Sequence, residues 1–119
     1  MATSTISYPS TTVLSSTYIT NSFITQADAA RVAFFKKNGF LTIRGNLKIV
    51  NTGTMTDFVP FLSVSGIDMY SDYTFFQSAV GQGSTGRIVI SFDSTKRLSF
   101  YSTSLTSDWY RFNMTIPLA

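Results

Sequence analysis

Apolar and polar residues alternate along most of the chain after residue 30, which is the period expected of strands with one buried face. The clearest example is the segment 40–50 (FLTIRGNLKIV). Its apolar residues fall on one face: Leu41, Ile43, Leu47 and Ile49. Gly45 lies on that face without a change of phase, so we predict a bend or a place of close packing there. Asn38-Gly39 precedes the segment and favours a two-residue turn, because a type I′ turn needs positive φ at both central residues. The pattern predicts a hairpin whose second strand is long and buried on one side.

Strand signals continue to the end of the chain. The segment 58–65 (FVPFLSVS) is apolar on both faces. Pro60 lacks the amide hydrogen that a strand ladder needs, so we predict an edge strand or a bulge there. The other predicted strands are 74–80, a hairpin over 87–102 that turns at 93–96, and a last strand over 109–118. The predicted inward residues of these last two segments are Ile88, Ile90, Phe92, Leu98, Phe100, Tyr110, Phe112, Met114 and Ile116.

The first 30 residues differ from the rest. They are rich in Ser and Thr with short apolar islands, and we predict an extended leader that becomes strand where it docks. The segment 26–32 (QADAARV) is the only one with helical composition, and it is too short to form a stable helix alone. The chain thus divides into a leader at 1–30 and a head domain at 31–119. About six to eight short strands without a long helix predict an all-β protein, an antiparallel β-sandwich that is jelly-roll-like.

Composition changes the picture of the surface. Hydrophobic residues make up 44% of the 119 residues and charged residues only 13%, while Ser and Thr together supply 34 side chains. Such a hydroxyl-rich composition favours strands and turns over exposed helix. So few charges leave many aromatic side chains without a charged surround, which indicates a subunit that buries surface in an oligomer. An ordinary β-rich domain that stands alone is the other interpretation.

Charge and hydropathy argue against several classes of partner. The formal net charge is +3, but Lys and Arg are scattered and no run of them exceeds two. This pattern does not form the basic stripe that nucleic-acid binding uses. No stretch approaches the ~20 apolar residues of a membrane helix. The first 16 residues lack the basic start and apolar block of a signal peptide. We predict neither nucleic-acid binding nor membrane insertion.

The residues that most often carry catalysis are missing. The chain has no His, no Cys and no Glu, so it lacks thiolate metal ligands and the usual acid–base groups near neutral pH. Asp68 and Asp72 are close in sequence and could flank a glycosidic bond or share a calcium ion, but Asp in loops most often makes turns. The Gly-rich segment 81–86 precedes a strand, so we predict a hairpin loop and not a phosphate cradle. We predict a protein that is not an enzyme, with no catalytic residue, metal or cofactor.

Ligand recognition is the function left, and two groups of residues are candidates. Sugar binding needs a flat aromatic face and fixed polar groups for hydroxyl pairs. Trp109, the only tryptophan, lies on the face opposite Tyr110, next to Asp108 and two residues before Arg111. The second group is in the loop 66–73: Asp68, Tyr70, Asp72 and Tyr73. The alternatives are that Trp109 packs against a neighbouring subunit or in a second core, and that the loop tyrosines cover the core.

Four pieces of the chain, taken in order, resemble a known family. They are FFKKNGFLTIRGNLKIV (34–50), FVPFL (58–62), GRIVISFDSTKRLSFYS (86–102) and DWYRFNMTIPLA (108–119). Their succession over residues 31–119 resembles the C-terminal head domains of bacteriophage tail fibres and receptor-binding proteins. The resemblance is a pattern of short pieces and not a strict motif.

The resemblance implies a jelly-roll head that forms a homotrimer and binds a bacterial cell-wall saccharide or phosphosaccharide without cleaving it. Family sites are built from Trp, Asp and Arg near subunit junctions, which Trp109, Asp108 and Arg111 match by type. The resemblance also implies a place in the virion at the tail tip or baseplate, contacts with other tail proteins, and a role in adsorption to the host.

Two other interpretations stand beside this one. The first is a structural or assembly protein of the virion that uses the same sandwich only for protein–protein contacts. The second, which is weaker, is a depolymerase that uses Asp68 and Asp72.

Overall fold

A computed structural model describes residues 10–70 and 73–119 of the chain. Its strands are β1 (Thr12–Leu14), β2 (Ser16–Tyr18), β3 (Val32–Lys37), β4 (Phe40–Ile49), β5 (Val59–Val64), β6 (Thr74–Val80), β7 (Arg87–Asp93), β8 (Arg97–Tyr101) and β9 (Asp108–Pro117). One 3-10 helix, Ala27–Ala29, lies between β2 and β3. In the described part of the chain, no helix is long and apolar enough to cross a bilayer.

The strands form two antiparallel sheets. One sheet has four strands in the order β1-β3-β4-β9, and the other has five in the order β2-β5-β8-β7-β6. The inward faces of both sheets contribute to a single apolar core, in which Phe34 of β3 lies 6.3 Å from Phe92 of β7 between ring centroids. Burial of one such side chain contributes about 1.5–3 kcal/mol to the free energy of unfolding. The predicted antiparallel β-sandwich is confirmed.

The first predicted hairpin is confirmed in its details. β3 pairs with β4 from Lys37 opposite Phe40, and the two residues between them have positive φ, 57° at Asn38 and 80° at Gly39. Gly45 lies where β4 passes very close to β3, because a Cβ atom there would be 2.8 Å from the backbone Cα of Val32. The predicted close packing at Gly45 is therefore confirmed.

Pro60 marks a bulge. The pairing of β5 with β8 shifts register between Pro60 and Leu62. The predicted bulge is thus observed, and because β2 pairs with β5 only at Leu62, Ser63 and Val64, Pro60 itself has a strand partner on one side only. The second predicted hairpin is also confirmed, with Lys96 at φ 62° in its turn. The predicted inward residues of β7, β8 and β9 are all buried.

The described part of the leader crosses from one sheet to the other. β1 pairs with β3 in the four-stranded sheet, and after Ser15 the chain pairs as β2 with β5 in the five-stranded sheet. Ile24 then enters the core, and the segment of helical composition forms only the 3-10 turn. At the far side of the sandwich an isolated antiparallel bridge joins Gly81 to Tyr110. The two sheets are thus linked by backbone contacts at both sides.

Candidate functional site

A basic face covers the outside of the four-stranded sheet. Because side chains alternate along strands, the residues of β3, β4 and β9 that do not enter the core point outward together. Five cations lie there: Arg31, just before β3, and Lys37, Arg44, Lys48 and Arg111. No outward-facing residue of these three described strands is acidic. We call this surface the basic face.

Trp109 lies on the basic face and is half-buried. Lys48 is its direct partner on β4, with its ammonium nitrogen 5.6 Å from the centroid of the indole ring. The guanidinium carbon of Arg31 lies 4.9 Å from the same centroid. Both distances are within the range of cation–π attraction. The ring therefore lies close to two cations, and it is not part of the apolar core.

A shallow depression of about 390 Å³ lies in the middle of the basic face. Its lining includes three guanidinium side chains and two amides: Arg31, Arg44, Arg111, Asn46 and Asn113. Ala33 is also in the lining, and it pairs with Arg44, which in turn pairs with Asn113. Arg44 lies over the ring of Phe35, with 5.5 Å between its guanidinium carbon and the ring centroid. The depression is open because the side chain of Ala33 is small. Arg31 and Arg44 also lie over neighbouring rings and do not fill it.

Asp108 has a different surrounding from Trp109 and Arg111. Its Oδ2 atom accepts hydrogen bonds from the Ser84 hydroxyl at 2.8 Å and from the Gly83 N–H at 2.9 Å. Its Oδ1 atom accepts from the Trp109 N–H at 2.7 Å. The hydrogen bond from Ser84, followed by that from Gly83, lowers the pKa of the Asp108 carboxyl below its ordinary value. Oδ2 thus holds the 81–86 loop, while Oδ1 is occupied by the neighbouring N–H of its own strand.

The 81–86 loop lies against the end of the basic face. Gln82 donates its N–H to the Trp109 carbonyl at 3.0 Å, and its side-chain amide donates to Asn46 at 3.1 Å. A side chain at Gly81 would overlap the Asp108 carboxylate, and one at Gly86 would overlap the Tyr110 hydroxyl. Asp108 is therefore a positioning residue for this loop, and the glycines allow the close approach.

The second predicted group is far from the first. The Asp68 carbonyl accepts a hydrogen bond from Ala119 at 3.0 Å, which places it at the end of the chain beyond β9, whereas Trp109 lies at the start of β9. A strand of ten residues spans about 34 Å at 3.4 Å per residue. Tyr70 and Tyr73 are both exposed and form an edge-to-face pair at 6.0 Å. Asp72 lies outside the described residues.

The structure therefore brings Trp109 and Arg111 together and separates them from the loop group. It adds three residues that sequence reasoning did not select: Arg31, Arg44 and Lys48. Alternation along β4 puts Arg44 and Lys48 on its polar face, but the pairing of β4 with β9 is what brings Lys48 to Trp109 and Arg44 to Asn113. Within the described residues, no group of three Asp side chains is arranged to hold a metal ion.

The chemistry of the basic face suits an anion. Guanidinium groups bind carboxylate and phosphate in a planar, two-point geometry, and nothing acidic on the described strands competes for them. Comparison with protein-family models, with curated proteins and with solved structures found no match to this chain.

Proposed function

We propose that this chain is a non-enzymatic receptor-binding domain that holds an anionic cell-surface saccharide, such as a phosphosaccharide, on its basic face. One observation carries the proposal: Arg31, Arg44 and Arg111 surround one open depression on a face whose described strands present no carboxylate. A phosphate-bearing sugar polymer offers repeated negative charges and ring surfaces, which match guanidinium groups and the adjoining rings of Phe35 and Trp109.

The site is open to water, so each contact is weak. Exposed ion pairs contribute about 0.2–1 kcal/mol each. A receptor-binding protein gains strength by presenting several copies, because linked sites raise the local concentration of the ligand. The resemblance to phage tail fibre heads supports this arrangement, and within the proposal the chain is a homotrimeric head at the tip of a phage tail that mediates adsorption to a bacterial host.

Binding to poly(glycerol phosphate), with dextran as the uncharged comparison, tests the proposal. We expect the chain to bind the anionic polymer and not dextran through the basic face. Arg111→Gln should weaken binding by about two- to fivefold, as expected for one exposed ionic contact. The double variant Arg44→Gln/Arg111→Gln should lose about tenfold.

Arg87→Gln is the matched control. Arg87 is exposed and lies on β7 in the other sheet. Its replacement by Gln removes one positive charge, as Arg111→Gln does. Equal loss of affinity in Arg87→Gln and Arg111→Gln would show a diffuse charge effect and would contradict a site on the basic face. Release of reducing sugar from purified cell wall would contradict the non-enzymatic part of the proposal.

A structural or assembly role in a virion is the second candidate, and the edge strand β6 favours it. β6 ends the five-stranded sheet, has the sequence TFFQSAV and carries no charged residue. Edge strands without charges can pair with strands of other chains. In the proposed head, we place the contacts between the three copies at the unpaired backbone edge of β6 and not at the ring of Phe76 on its outer face.

A further inference from the structure

A second depression, of about 340 Å³, lies on the outer face of the five-stranded sheet. Across this face Pro60 pairs with Ser99, Ser99 with Ser91, and Ser91 with Phe76. The two serines in the middle of this row are small, whereas the residues at its ends are large. The floor of the depression is therefore made of two hydroxyl side chains between bulkier neighbours, and we call it the serine depression.

An aromatic wall borders the serine depression. Phe58 and Phe76 line it, with 5.9 Å between their ring centroids, and Tyr101 lies 5.3 Å from Phe58. The side chain of Phe76 is 60% exposed. Phe58 and Tyr101 are half-buried. A cluster of rings at the surface beside polar groups is typical of a binding surface, since an ordinary surface shows scattered single apolar residues.

The remaining wall is polar and its carboxylates are held in place. Asp57 Oδ1 accepts the Phe58 N–H at 2.7 Å, and Asp93 Oδ1 accepts the Thr95 N–H at 2.9 Å together with the Thr95 hydroxyl. The second oxygen of each carboxylate accepts no hydrogen bond from a described residue. Arg97 completes the wall. The formal charge of the lining is −1, from two Asp and one Arg.

We propose that the serine depression binds an uncharged sugar ring. The aromatic wall offers a flat surface for the apolar C–H face of a pyranose. The fixed carboxylate oxygens accept hydrogen bonds from neighbouring sugar hydroxyl groups, and the Arg97 guanidinium donates hydrogen bonds to sugar oxygens. The hydroxyl groups of the floor serines can donate or accept. The net negative lining disfavours a phosphate-bearing ligand, which separates this site from the basic face in both position and chemistry. The inference does not depend on the proposed function of the basic face.

The size of the depression fits this ligand class. Its volume lies near the lower end of the range of about 300–1,000 Å³ for small-molecule sites. Ser91 is 8% exposed and Ser99 is half-buried. Both serines line the depression, and a hydroxyl there can donate to a ligand on the floor or accept from it.

Amide chemical-shift titration with neutral sugars tests the inference. The probes are methyl α-glucoside, methyl β-galactoside, rhamnose and N-acetylglucosamine, each added to the full chain. We expect at least one of them to shift the amides of Ser91, Ser99 and Phe76 in a saturable way, with millimolar affinity. Phe76→Ala should weaken that binding by about fivefold, since an aromatic contact of this kind contributes about 1 kcal/mol. Asp57→Asn should also weaken it.

Val80→Ala is the matched control for Phe76→Ala. Val80 lies on the same strand and the same outward face, is 51% exposed and is absent from the lining of the depression. Sugar binding should be unchanged in Val80→Ala and in Arg111→Gln. The inference is overturned if no probe shifts these amides, if Phe76→Ala binds as well as the unmodified chain, or if Val80→Ala weakens binding equally.

Two further outcomes separate this site from other interpretations. Light scattering of Phe76→Ala must give the same mass as the unmodified chain, because a fall in mass would assign the aromatic wall to contacts between copies and overturn the sugar site. Poly(glycerol phosphate) binding should survive in Phe76→Ala. Loss of that binding in Arg44→Gln/Arg111→Gln, with sugar shifts retained, would support both sites independently.

Discussion

Asp108 holds the 81–86 loop with one carboxylate oxygen and accepts the Trp109 N–H with the other, so its charge serves the local fold next to the basic face. Its sequence position beside Trp109 suggested a ligand contact. The partners Gly83 and Ser84 are 25 and 24 residues away along the chain, and a contact of that separation leaves no local pattern. The types of residue at the site were predictable at this scale, but the hydrogen-bond partners of the Asp108 carboxylate were not.

Low pH should destabilise the fold around the 81–86 loop, because it protonates the Asp108 carboxylate. A lowered pKa means that the folded state favours the ionised carboxylate, so the stabilisation is present above the ordinary pKa of 3.8 and is lost as pH falls below it. We expect the thermal midpoint of the unmodified chain to fall more between about pH 6 and about pH 3 than that of Asp108→Asn. Ser84→Ala removes the largest cause of the shift and should reduce the difference. Equal falls in all three proteins would contradict the assigned role.

Gly45 should tolerate no side chain. A Cβ atom there would lie 2.8 Å from the Val32 backbone, which cannot move without displacing β3. We expect Gly45→Ala to lower the free energy of unfolding by about 1–3 kcal/mol in urea titration. Gly83→Ala is the control, because its nearest neighbour would be 3.8 Å away. Its effect should be within about 0.5 kcal/mol. Similar losses in the two variants would contradict the close approach at Gly45.

The pairing of β4 with β9 builds the basic face at the scale of elements. It runs from Phe40 opposite Pro117 to Ile49 opposite Asp108 and so brings Lys48 to Trp109. Both hairpins were predictable, because turn chemistry and alternation are local. The β4–β9 pairing joins residues 59 to 77 positions apart, and several registers would have kept the apolar faces inward. That is why Arg31, Arg44 and Lys48 were not selected from the sequence.

A charge on β6 should reduce self-association. Ser78 is exposed in the middle of this uncharged edge strand, and lysine on an edge opposes pairing with another chain. We expect light scattering to give the mass of a trimer for the unmodified chain and of a monomer for Ser78→Lys. Ser104→Lys, in an exposed loop, is the control and should stay trimeric. A monomer for the unmodified chain at micromolar concentration would contradict the trimer, and a trimer for Ser78→Lys would contradict contact through β6.

The whole molecule presents two outer faces of different chemistry. One carries five cations, and the other has a hydroxyl floor bordered by rings and carboxylates. The low share of charged residues, 13%, reflects this division, because hydroxyl groups cover much of the second face. Composition predicted a hydroxyl-rich surface, but it does not indicate which charges share a face, because the cations are scattered along the chain.

Salt should weaken ligand binding at the basic face and leave ligand binding at the serine depression unchanged. Screening shortens the range of charge interactions to about 10 Å at 0.1 M salt and about 3 Å at 1 M. We expect affinity for poly(glycerol phosphate) to fall several-fold between these concentrations, while the sugar-induced shifts at Ser91 and Ser99 stay the same. The measurement is a titration of each ligand at the two ionic strengths. Salt-independent binding of the polymer would contradict an ionic contact on the basic face.

The crossing of the leader at Ser15 has a mechanical consequence. Because β1 pairs with one sheet and β2 with the other, tension on the chain before β1 has to break the β1–β3 hydrogen bonds before it loads the β2–β5 hydrogen bonds in the other layer. Where the pull follows the strand axis, the hydrogen bonds within each of these two strands are loaded together in shear. A head tethered through this segment would therefore resist detachment under flow better than one hung from a single flexible link.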